Sequence, residues 1–188
     1  MSTAVNEPFA DGDFVSKLAG LAPAGTVAAL RAARADAKRF TQGSHDALFD
    51  PNATGLSLEE RLAAATYAAH LAAAPDVTRA YRERLIALRT AARDETLALL
   101  EQFIAADNVS TAHTTPATDA TKNARTTAIL SHTHALATLA PLPGKPALVR
   151  LKEAGLATHE IVALSQLVAF VTYQVRVVAA LRALEAAA

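Results

Sequence analysis

The stretch Gly55-Leu56-Ser57-Leu58-Glu59-Glu60-Arg61-Leu62, running on into Ala63-Ala64-Ala65-Thr66-Tyr67-Ala68-Ala69-His70-Leu71-Ala72-Ala73, decides the fold. Ser57 and Glu60 form a capping box: the hydroxyl accepts from the N–H three residues on, and the carboxylate reaches back to the serine N–H. A helix-stopping glycine in front and an alanine run behind make this a turn that feeds a helix. Outward from it the same signals recur. Pro75 suits the first turn of a second helix, and Val77, Tyr81, Leu85 and Leu88 repeat at helical spacing. The pattern continues through Leu97, Leu100 and Ile104 after a break near Thr90–Arg93. Upstream, Asp13 opens a short helix that Gly20 ends, and Val27, Leu30 and Ala33 begin another. Arg31, Arg34, Lys38 and Arg39 lie on its other side, as a solvated face or an anion-holding cluster. Gly43, Pro51 and Gly55 mark a broken segment.

Downstream, Asp107 to Thr118 reads as a polar loop containing His113. Asp119 can cap a helix to about Leu139, and Pro141, Pro143, Gly144 and Pro146 form a second linker. A short helix, Ala147 to Ala154, stops at Gly155, and Thr158 caps the last helix. That helix is apolar nearly all round, from Ile161 to Leu184, so it belongs at the centre of the fold, at a subunit interface, or both. The organisation is a flexible N-terminal arm (1–12), a first helical half (13–106), the polar loop (107–118) and a second helical half (119–188), in one domain.

Composition agrees. Alanine and leucine, 47 and 24 residues, fill 71 of 188 positions. Both are strong helix formers, so the fold class is all-α. Lys+Arg and Asp+Glu are equal at 18, which leaves no net field to gather a nucleic-acid backbone. With no cysteine there is no thiolate nucleophile, disulfide or zinc finger. No basic n-region opens the chain, and the longest uncharged apolar run, Ile161 to Val175, is short for a membrane span. A cytoplasmic protein without nucleic-acid or membrane partners is the expectation.

A shift of 100 residues superimposes positions 47–69 on 147–169 with seven identities, among them Gly55/Gly155, Leu56/Leu156 and Glu60/Glu160. This reads either as a duplicated unit of short helix, turn and long helix, or as chance in an alanine-rich chain.

The segment Leu56–Leu62 with its alanine-rich helix resembles the carboxymuconolactone decarboxylase / alkylhydroperoxidase D-like family. So does Leu151-Lys152-Glu153-Ala154-Gly155-Leu156-Ala157-Thr158-His159-Glu160-Ile161-Val162-Ala163-Leu164, which is similar to the C-terminal segment of its peroxidase-related branch. The likeness covers roughly Ala47 to Leu184. It implies an all-helical subunit with two related units, assembling as a homo-oligomer (trimer or hexamer), with a cysteine-bearing relative as an alternative partner. The redox members carry a Glu, two Cys and a His. Here those positions hold Leu62, Ala74, Val77 and Tyr81, so thiol peroxidase chemistry is not carried over.

Three functional expectations remain: a cysteine-free binding or accessory subunit, a small-molecule lyase or isomerase of decarboxylase type, or a structural protein whose cleft binds nothing in particular. The second would use histidine as general acid and base. The candidate pocket residues are Glu60, His70 and Tyr81, with Tyr67 beside His70. The plainer view keeps Glu60 as a capping carboxylate and His70 as an ordinary helix residue. His132 and His134 point about 200° apart on a helix and share no metal. Neither a metal nor a cofactor is expected; a small molecule is the expected ligand.

Overall fold

The structure, a computed structural model, describes residues 13–109, 123–139 and 144–188. Among the described residues there are nine helices and no strand. In chain order they are α1 (Phe14–Ala19), α2 (Thr26–Ala33), α3 (Ala35–Leu48), α4 (Leu58–Leu71), α5 (Pro75–Ala87), α6 (Arg93–Val109), α7 (Ala124–Ala137), α8 (Lys145–Glu153) and α9 (Thr158–Ala186). The N-terminal arm, most of the polar loop with His113, the Asp119 cap and the linker prolines 141 and 143 lie outside the described residues.

Helix α4 is the axis of the molecule. It packs on α5, α6, α7 and α9, and every residue from Arg61 to Ala69 is buried. Small side chains make this feasible: Ala63, Ala64, Ala65, Ala68 and Ala69 let four neighbours approach closely. Larger side chains fill the space between, with Leu62, Tyr67, Leu85, Leu99, Leu100, Phe103, Ile129, Leu130, Leu164 and Leu167 all at 1% exposure or less. At about 25 cal/mol per Å² of apolar surface, each such side chain contributes roughly 1.5–3 kcal/mol by burial.

Several boundaries differ from the sequence expectation: α7 starts at Ala124 behind Asn123 rather than at Asp119, and α8 starts at Lys145 rather than Ala147, which takes Pro146 into its first turn. Gly43 lies inside α3 rather than at a break, since one glycine costs a helix only about 1 kcal/mol and nothing crowds the site. Helix α6 runs three residues into the expected loop, to Val109. The N-cap of α9 is Ala157, with Thr158 its first helical residue. Asp13 stands at the N-cap of α1 but its carboxylate takes Ser16 Oγ and Arg31 rather than the helix N–H groups, whereas the capping box and the turn glycines act as read. Ser57 Oγ accepts from Glu60 N at 3.2 Å while Glu60 Oε2 accepts from Ser57 N at 2.8 Å. Gly20, Gly55 and Gly155 adopt positive φ.

Helix α9, 29 residues long, packs against α1, α2, α3, α4 and α7 along one side. Its other side is open: Val162, Ala169, Tyr173, Ala180 and Leu184 are exposed. As a helix rather than an uncharged run, α9 has the length and hydropathy of a membrane span. Its most apolar 18-residue window averages 1.6, and 39% of that window is buried inside the protein. Arg182 ties its C-terminal part down, donating to Leu18 O at 2.7 Å and pairing with Asp76 at 2.7 Å.

Candidate functional site

Two clusters of chemistry-bearing side chains stand at the two ends of α4. At its N-terminus the two turns of the 100-residue offset face each other. A Cβ on Gly55 would come within 3.1 Å of Glu160 Cγ, so the αL glycine is required both by its φ of +94° and by close approach. Arg125 of α7 sits between the turns. Its Nε donates to Glu60 Oε1 at 2.6 Å, its Nη2 to Glu160 Oε1 at 2.6 Å, and its Nη1 to Gly155 O at 3.0 Å. The second oxygen of each carboxylate serves its own helix start: Glu60 Oε2 accepts from Ser57 N, and at 3.4 Å also from Arg125 Nη2, and Glu160 Oε2 accepts from Ala157 N at 2.7 Å. One guanidinium thus clamps the first turns of α4 and α9. Arg125 and the Ala157 N–H hold the Glu160 carboxyl below the usual carboxylate range. Donation, first to Glu60 and then to Glu160, holds the Arg125 proton more tightly still. Arg61 reinforces the same end, its Nη1 donating to Leu48 O at 3.0 Å and Asp50 O at 2.9 Å.

The C-terminus of α4 is built differently. The helix ends in a Schellman motif: Ala73 N donates to His70 O at 2.8 Å and Ala74 N to Ala69 O at 3.1 Å. The residue that must turn left-handed there is Ala73, at φ +52°, where glycine is the usual occupant. Beside it opens a cleft of about 660 Å³, walled by α4, α5 and α6. His70, Ala73 and Ala74 form one side, Arg79 and Arg82 of α5 a second, and Asp107 of α6 a third. Behind Asp107 lie Tyr67, fully buried, and His134, whose Nε2 is 3.9 Å from Asp107 Oδ1. The Tyr67 ring stacks at 6.4 Å from His70 and 6.3 Å from His134. Its hydroxyl faces the Asp107 carboxylate without a partner at ordinary hydrogen-bond length, and burial, reinforced by that carboxylate, pushes its pKa up.

The three expected pocket residues therefore fall in three places. His70 lines the cleft. Glu60 is at the opposite end of α4, ten residues or roughly 15 Å away at 1.5 Å per residue, held by Arg125. Tyr81 is fully buried on the inner face of α5, donating to Gln174 Oε1 at 2.6 Å between the rings of Phe14 and Phe49. Burial raises its pKa. Sequence reasoning did not find Arg125, Asp107 or His134 as partners. Asp107 stood in an expected loop; Arg125 meets its carboxylates only through the packing of α7 on α4 and α9, and His134 meets Asp107 only through the packing of α7 on α6.

His132 and His134 do face opposite sides of α7. His132 Nε2 meets Ser165 Oγ on α9 at 3.2 Å, and burial pulls its pKa below 6.5. Among the described residues no group of three or more His, Cys, Asp or Glu could hold a metal. No family model, curated protein or solved structure matches this chain.

Proposed function

We propose that this chain is a cysteine-free helical binding protein, an accessory subunit with the architecture of the alkylhydroperoxidase D-like family but without thiol peroxidase activity. The observation that supports it is what occupies the four positions where that family's redox group would stand. Leu62, Val77 and Tyr81 are packed core, at 1% exposure or less, and Ala74 is an aliphatic edge of the cleft. On this reading the core closes over the place where a thiol would react, and the cleft with polar walls lies beside it. Assembly into a homo-oligomer, a trimer or hexamer, is part of this reading, and the outward side of α9 supports it. Val162, Tyr173 and Leu184 are about half exposed there, on a helix whose composition is that of a core.

Two assays test the proposal. Hydroperoxide reduction with a dithiol donor and no added metal is expected to stay at the uncatalysed rate; turnover overturns it. Light scattering is expected to give a multiple of 19.6 kDa, and a stable monomer mass removes the assembly.

A second reading, a lyase or isomerase with histidine as general acid and base, has one observation in its favour: His70 and Asp107 line the same cleft. It predicts that His70→Gln abolishes turnover of a small acid while leaving its binding intact.

A further inference from the structure

The walls of the α4–α5 cleft differ in charge, and the difference specifies a ligand. Arg79 and Arg82 are three residues apart on α5, so their guanidiniums share a face. Each is anchored by one edge only. Arg79 Nη2 bonds Asp76 Oδ1 at 2.5 Å, and Arg82 Nε bonds Glu101 Oε1 at 2.7 Å. Neither terminal nitrogen of Arg82, nor Nε and Nη1 of Arg79, has a partner among the described residues. Asp76 is also shared with Arg182. Asp76 thus neutralises Arg79 only in part, and this wall keeps a partial positive charge. Anchoring by one edge orients the free donors, which lowers the ordering cost of binding an anion.

Across the cleft, the Asp107 carboxylate and the Asn108 amide present the opposite character. Asp107 disfavours a second anionic group on that side and accepts from a hydroxyl. Between the two walls lie Leu71, Ala73, Ala74 and Pro75, an apolar surface for a carbon skeleton. The volume, 660 Å³, lies in the range of small-molecule sites.

We infer that this cleft binds a small monoanionic hydroxy-carboxylic acid, its carboxylate on Arg79 and Arg82, its apolar body against the α4–α5 turn and its hydroxyl toward Asp107. The inference deepens the reading of the chain as a binding protein and rests on it. Its test is independent of assembly and of peroxide chemistry, so either can fail alone.

The probe is 4-hydroxybenzoate, titrated calorimetrically into the full chain. Three comparisons accompany it: benzoate, uncharged 4-hydroxybenzamide and inorganic phosphate. Saturable binding of 4-hydroxybenzoate is expected, at least tenfold tighter than the amide and tighter than benzoate. Arg79→Gln combined with Arg82→Gln is expected to weaken it tenfold or more. Its unfolding midpoint should not move, because both pairs are solvent-exposed. Asp107→Asn is expected to bring 4-hydroxybenzoate to the affinity of benzoate. Absence of binding up to about 10 mM, a range in which even a weak millimolar site is visible, overturns the inference. So does undiminished binding in the arginine variant, or equal competition by phosphate, which would mark an unselective anion patch.

Discussion

The two ends of α4 carry similar numbers of polar side chains and treat them in opposite ways. At the N-terminus Ser57, Glu60, Arg125 and Glu160 satisfy one another and the orphan N–H groups of two helices. At the C-terminus Ala73 carries a left-handed backbone without being glycine, and the Tyr67 hydroxyl is buried against a carboxylate without a short hydrogen bond. The first arrangement lowers the energy of the fold. The second spends some of it around an open cleft, a pattern that marks binding sites more often than cores. One helix therefore holds the fold together at one end and presents chemistry at the other.

The largest break in that contrast is expected from Arg125→Met. Two carboxylates are then left facing each other at a site only partly screened by solvent. Loss of one partner from a buried pair costs about 3–5 kcal/mol, and the one-third exposure of Arg125 brings the expectation to about 2–3 kcal/mol. The urea midpoint measures it, and Glu160→Gln in the same background is expected to recover part of the loss. Ser57→Ala should cost about 1 kcal/mol by the same measure, since it removes one half of a capping box. Ala73→Gly should do the reverse, raising stability by about 1 kcal/mol through relief of the left-handed turn. A loss there would mean that the C-terminal end is not strained.

Ala157→Ser sharpens the comparison between the two turns. The second turn has only the carboxylate half of the box, and a hydroxyl at 157 should add about 0.5 kcal/mol or slightly more. The smallest effect concerns slope rather than level. Buried His132 has its pKa lowered in the fold, so its contribution is fully present above the unfolded value of 6.5 and is lost as the pH falls through the folded value. His132→Gln is therefore expected to flatten the decline of thermal stability just below pH 6.5. The Glu160 loss, which begins below the carboxylate value of 4.5, stays unchanged.

Local signals were legible in the sequence wherever one residue type decides a conformation. The serine–glutamate box, the proline at the start of α5 and the glycines at 20, 55 and 155 all act as read. Gly43 misleads because a helix held by neighbours tolerates one glycine. The all-α class followed from composition, and His70 at the cleft followed from its place near the helix end. What the sequence hides is which distant groups meet. Glu60 was visible as a cap but not as one arm of a clamp, because Arg125 lies 65 residues away. Tyr81 was placed with His70 because both flank the α4–α5 turn, but the rotation of α5 turns Tyr81 inward to Gln174 and leaves Arg79 and Arg82 facing the cleft.

Hydrogen exchange along α4, with and without 4-hydroxybenzoate, tests the division of labour most directly. Without the probe, amides from Glu60 to Ala65 are expected to exchange only with global unfolding, and those from Ala72 to Ala74 much faster. With it, protection is expected to rise at the C-terminal turn and at Asp107–Asn108 and to stay level near Ser57. Uniform exchange along the helix, or protection arriving at both ends together, would contradict the account.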